Sequence, residues 1–113
     1  TVVRRHAGEP AHLLRVADLS LDLLARKATR GDAALELSVR EFELLEFFMR
    51  APGRVFSRVQ IYEQVWGYGA DIESNLVEVY VQRLRAKIEQ DPDRPTIVTT
   101  VRGVGYRAGT PTE

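Results

Sequence analysis

LSVREFELLEFFMRAPGRVFSRVQIYEQVWG, residues 37–67, holds two helix starts of the same design. Ser38-Val39-Arg40-Glu41 is a capping box, in which the Ser hydroxyl satisfies the amide of Glu41 and the Glu carboxylate reaches back to the cap. Leu37 and Phe42 sit at the staple positions, and Phe42, Leu45, Phe48 and Met49 follow at helical spacings of three and four. Ala51-Pro52-Gly53 stops that helix. Ser57-Arg58-Val59-Gln60 repeats the box with Phe56 and Ile61 as its staple. Ile61, Tyr62, Val65 and Trp66 give the second helix an apolar face, and Gly67 ends it.

Upstream of this block the period is different. Leu13, Leu14 and Val16 form a short apolar stretch, and Leu19, Leu21 and Leu23 alternate with Ser20 and Asp22, the period of a half-buried strand. Residues 25–30 are an Arg-rich strand candidate, Arg30-Gly31-Asp32 is a turn, and residues 34–37 return as the second arm of a hairpin. The expectation is a small antiparallel sheet of three or four strands. Downstream, a third helix is expected from about Glu73 to Gln90, stopped by Asp91-Pro92. Residues 96–100 are β-branched throughout and can pair with 104–107 across Arg102-Gly103, which predicts a C-terminal hairpin.

The third helix carries the functional information. At 100° per residue, Val77, Val81, Leu84 and Ile88 fall on one stripe and predict its buried side. The opposite side presents Asn75, Val79, Gln82, Arg83 and Ala86, with no acid among them. An ordinary solvated face carries Glu and Lys at its centre, not Val and Ala. Arg, Gln and Asn suit base edges in a major groove, and Val or Ala suits a thymine methyl. Arg85 and Lys87 flank that face at positions suited to phosphates. On the hairpin, Arg102 stands beside Gly103 and Gly105, a cation on a narrow ribbon that fits a minor groove. Gly103-Val104-Gly105 is not a phosphate loop, because no helix follows it.

Composition bounds the alternatives. The 113 residues suit one domain, and with no Cys there are no disulfides, Cys-based zinc sites or Cys nucleophile. No apolar run nears the length of a spanning helix and no signal-peptide core opens the chain, so a cytoplasmic location away from membranes is expected. The two histidines, His6 and His12, lie in or beside a polar N-terminal segment, and no Ser/His/Asp set or carboxylate pair marks a cleft. Neither catalytic residues, metal ligands nor a cofactor are expected. Glu41, Glu43 and Glu46 read as a solvated acidic face of the first helix.

LSVREFELLEFF (37–48), Trp66-Gly67, SNLVEVYVQRLRAKIE (74–89) and TVRGVGYR (100–107), in this order and spacing, resemble the winged-helix effector domain of OmpR/PhoB-type response regulators. The resemblance covers about residues 13–108. It implies an α+β fold, a winged helix-turn-helix with a four-stranded N-terminal antiparallel sheet, three helices and a C-terminal β-hairpin wing. Residues 1–10 are then a linker stub, 11–108 the DNA-binding domain and 109–113 a tail. The implied function is sequence-specific binding of double-stranded DNA for bacterial transcription control. The recognition helix (about 73–90) enters the major groove and the wing (about 96–108) the minor groove. Carried onto this chain, Asn75, Val79 and Arg83 read bases, Trp66, Tyr80, Gln82, Arg85 and Lys87 lie near the DNA backbone, and Thr100 and Arg102 are the wing contacts. Gln82 stands where many relatives carry Arg or Lys, which implies weaker sequence-independent attraction. The family also implies head-to-tail self-association on tandem half-sites, contact with RNA polymerase through residues 66–72, and an upstream receiver domain for which 113 residues leave no room. The alternative from a different class is a protein-docking module that uses the 66–72 loop and the apolar patch at Val79 for RNA polymerase or a receiver domain.

The zero net charge, 16 cations against 16 acids, hides an uneven distribution. Residues 1–35 carry +2, residues 36–78 carry −4, and residues 79–113 carry +2. A modest local excess of that kind places specificity on a few base contacts and affinity on the pairing of protomers.

Overall fold

Leu14, Leu21, Ala28 and Leu35 form one row across four antiparallel strands, because Leu14 pairs with Leu21, Leu21 with Ala28 and Ala28 with Leu35. The computed structural model describes residues 12–67 and 75–109. Its strands β1 (Leu13–Val16), β2 (Leu19–Asp22), β3 (Lys27–Arg30) and β4 (Ala33–Leu35) follow one another in space as in sequence. The period-2 alternation places the row on the face that meets the helices, where Leu14, Leu21 and Ala28 are buried and Leu35 packs against them.

Both capping boxes form. Ser38 accepts from the Glu41 amide while the Ser38 amide donates to the Glu41 carboxylate, and Ser57 and Gln60 repeat the exchange. α1 (Val39–Met49) starts at the first box and α2 (Arg58–Ile61) at the second. α2 then loosens into a π-helical segment, Tyr62–Trp66, and Gly67 follows at φ 104. The apolar stripe of α1 is confirmed, with Phe42, Leu45, Phe48 and Met49 all buried against β1, α3 (Leu76–Ile88), the π segment and the C-terminal hairpin. Leu44, Leu45 and Phe48 have no exposed surface, so truncating any of them to Ala costs about 2–5 kcal/mol.

The third helix is shorter than its periodicity predicts. It ends at Ile88, and Glu89 is already extended at ψ 143, because its carboxylate leaves the helix to bond the chain that opens the hairpin. The expected start at Glu73 lies outside the described residues, as do the 1–10 stub, most of the 66–72 loop and residues 110–113. The hairpin is offset from the sequence-based reading: β5 (Val98–Val101) pairs with β6 (Gly105–Ala108), Val101 facing Gly105. Thr96 and Ile97 precede the ladder, and Val104 falls in the turn rather than in the return strand. Phe56 adds a bridge to Tyr106, its amide and carbonyl each bonded to that residue at 2.9 Å, so the segment before α2 runs alongside the hairpin. Sheet, three helices and hairpin together are a winged helix-turn-helix.

Candidate nucleic-acid interface

α3 buries Val77, Val81, Leu84 and Ile88 and turns Asn75, Gln82, Arg83 and Ala86 outward, with Val79 half-buried between them. The acid-free face read from the helical period is therefore the outer surface of the helix. Asn75 occupies the N-cap position without a side-chain capping bond. The nearest acid, Glu78, is drawn to Arg58 at the start of α2, 3.5 Å away.

Three aromatic rings meet where α2 approaches α3. Trp66 stacks on Tyr62 with centroids 5.8 Å apart and meets the edge of Tyr80 at 5.3 Å. A cation stands at each end of this group, Arg40 5.3 Å from the Trp66 ring and Arg83 5.2 Å from the Tyr80 ring. Arg40 also donates to the Val65 carbonyl at 2.6 Å, satisfying an orphan acceptor at the end of the π segment. Trp66 and Tyr80 are both half-buried, each part of the wall from which Arg83 projects.

Two of the cations expected beside phosphates are engaged within the protein. Arg85 Nε donates to the Val98 carbonyl at 2.9 Å and its Nη2 to Thr100 Oγ1 at 2.7 Å, with the guanidinium over the Tyr106 ring. Burial pulls the Arg85 guanidinium below its usual pKa, while Tyr106 and Glu89 act in the opposite sense. Burial and the Glu78 charge raise the Tyr106 phenol above its usual pKa, partly offset by Arg85 and Arg58. Lys87 Nζ lies 2.7 Å from Glu41 Oε1. Glu41 is 4% exposed, so the reading of it as part of a solvated face is corrected: it is the buried link between the α1 cap and α3. Glu43 and Glu46 do lie nearer the surface, paired with Arg40 and Arg50 along the helix.

Thr100 and Arg102 are both exposed on the wing, which Arg85 joins to α3. Gly103 takes φ +77 in the turn. Glu89, Arg30 and Arg40, none of them assigned such a role by motif or period, hold the ends of α3 and of the π segment. Arg30 reaches from β3 to donate to the Ile88 carbonyl at 2.7 Å, closing the C-terminal end of α3. Such long-range partners leave no local pattern to read. Among the described residues no group of three or more His, Cys, Asp or Glu is placed to hold a metal ion.

The model for "Transcriptional regulatory protein, C terminal" matches residues 32–108. The DNA-binding response regulator MtrA of Mycobacterium tuberculosis is 50% identical over 109 residues, 96% of this chain and 48% of that protein. The transcriptional regulatory protein CusR of Escherichia coli is 46% identical over 97 residues, 86% of this chain and 42% of that protein. The chain thus spans about half the length of these relatives. Among solved structures, the response regulator DrrB of Thermotoga maritima, an OmpR/PhoB homologue, superposes with a TM-score of 0.78 at 29% identity, covering 88% of this chain and 45% of that one. The RstA DNA-binding domain of Klebsiella pneumoniae, solved in complex with the RstA box, gives 0.78 at 25% identity over 86% of this chain and 96% of that one. With the family model spanning residues 32–108 and these relatives at 46–50% identity, the chain belongs to the family of C-terminal domains of transcriptional regulatory proteins, of the OmpR/PhoB type.

Proposed function

We propose that this chain is a sequence-specific binder of double-stranded DNA in transcription control, the effector portion of a longer two-component response regulator acting in the cytoplasm. It works by binding, without chemistry. The observation that carries the reading is the pairing of an exposed, acid-free face on α3 with a wing bearing Thr100 and Arg102 on one scaffold. α3 enters the major groove, where Asn75, Val79 and Arg83 read base edges; Arg83 is suited to the O6 and N7 acceptors of guanine. Trp66, Tyr80 and Gln82 lie toward the sugar–phosphate backbone. Arg85 and Lys87 border it too, with their primary work the internal bonds described above. The wing carries Arg102 to the adjacent minor groove, whose narrow form concentrates negative potential. Two copies bind tandem half-sites head to tail, and residues 66–72 face RNA polymerase or the DNA backbone. No helix among the described residues is long and apolar enough to cross a membrane, in keeping with a partner in aqueous solution.

In vitro selection from random duplexes at two salt concentrations tests this reading. The expected product is a direct repeat with half-sites spaced by about one helical turn, ~10–11 base pairs. Arg83→Ala is expected to weaken binding to that product by about 1–3 kcal/mol and to relax preference at one base position. Failure to enrich any sequence at either salt concentration would overturn the proposal. Salt-insensitive capture of RNA polymerase without DNA retention would favour the docking alternative instead.

A further inference from the structure

Glu89 is a buried carboxylate, 7% exposed, at the point where α3 gives way to the loop before the wing. Its Oε1 accepts from the amides of Thr96 at 2.8 Å and Ile97 at 3.2 Å. Its Oε2 accepts from Ile97 at 3.0 Å and Val98 at 2.8 Å. Three successive backbone donors thus converge on one side chain across residues 90–95, a segment exposed over most of its length. An ionised carboxylate is an acceptor at both oxygens, so it can serve all three amides. One turn earlier on the same helix, Arg85 binds the same strand through the Val98 carbonyl and Thr100.

We propose that Glu89, assisted by Arg85, is a positioning residue for DNA binding: it fixes the wing to the recognition helix, so that Arg102 and Arg83 meet one duplex as a rigid pair. The inference rests on the major- and minor-groove reading above and adds the device that holds the two contacts in register. Glu89 itself faces inward and touches no DNA. Its contribution is preorganisation, since a wing free to pivot must be ordered at the moment of binding before Arg102 can contribute. Glu89→Gln tests this with little change in volume. A glutamine offers one acceptor oxygen, and its NH2 group meets a donor amide where Oε1 or Oε2 stood.

The test is a double-mutant cycle on the duplex enriched by the selection above, with parent, Arg102→Ala, Glu89→Gln and the double variant measured at one salt concentration. Arg102→Ala is expected to weaken the parent about tenfold, and the Glu89→Gln background less than about twofold, although the two residues stand at opposite ends of the wing. Amide exchange at Thr96, Ile97 and Val98 should accelerate in Glu89→Gln while that of Leu45 and Phe48 does not, showing the clamp open in a folded protein. An equal loss from Arg102→Ala in both backgrounds overturns the inference and leaves the groove reading standing. No loss from Arg102→Ala in the parent overturns the wing contact and the inference with it. Glu89→Asp, which keeps the charge but retracts it by one methylene, takes the place of Glu89→Gln if that variant does not fold. Failure of both to fold would make Glu89 a determinant of the fold alone, against the proposal.

Discussion

Glu41 joins two elements with one carboxylate. It accepts the Ser38 amide that begins α1 and the Lys87 ammonium from α3, both through the same oxygen. Burial by itself raises its pKa, but the Lys87 and Ser38 hydrogen bonds and the Lys87 charge outweigh that, and the net position is below the ordinary carboxylate value. A lowered folded pKa means stabilisation that is fully present above the unfolded glutamate pKa of about 4.3 and is lost as pH falls through the lower folded value. Glu41→Gln is therefore expected to cost about 1–2 kcal/mol in urea unfolding at pH 7, with the gap to the parent closing in acid. A gap independent of pH would assign the loss to packing. Only the capping half of this arrangement was readable beforehand. The pattern Ser38-x-x-Glu41 is local, whereas the partnership with Lys87 spans 46 residues and exists only once α1 and α3 are packed.

Among the elements, the helices were more legible than the strands. Two capping boxes with hydrophobic staples state where α1 and α2 begin, because each satisfies its own orphan amides within one turn. The strand ends were harder to read. Ala17 and Arg26 take φ 55 and 57, and neither residue type announces a left-handed position. The C-terminal end of α3 departs from the helical period for a different reason, since Glu89 is a good helix former that tertiary bonds draw out of the helix. Gly105 shows the same dependence on context. In sequence it is one residue of the return strand, but a Cβ built there would lie 1.9 Å from the Phe56 carbonyl oxygen and 2.9 Å from Ser57 Cα, both backbone atoms. Gly105→Ala is expected to lower stability by about 2–4 kcal/mol, measured by urea denaturation, by forcing apart the Phe56–Tyr106 bridge. A Gly103→Ala control separates this close approach from backbone conformation alone, because Gly103 has open space but a positive φ.

For the molecule as a whole, the structure makes the cation supply at the proposed interface smaller than the sequence suggests. Of the six cations in residues 79–113, Arg85 and Lys87 are held by Thr100, Val98 and Glu41, Arg94 lies in the loop before the wing and Arg107 is half-buried, so Arg83 and Arg102 are the exposed arginines of α3 and the wing. The logarithm of the binding constant per domain should accordingly fall with the logarithm of salt with a slope of about −2 to −3. A slope near −6, read from fluorescence anisotropy over a salt series, would show that the internally bonded cations re-engage on phosphates. The sequence by itself determined the starts of α1 and α2, the buried stripe and outward face of α3, and the order of sheet, helices and hairpin, because capping and periodicity act within a few residues. The tertiary structure alone decided which charges are free, where α3 ends and how the wing is held to it. Those outcomes turn on hydrogen bonds between groups far apart in the chain, whose partners become neighbours only when the apolar faces pack.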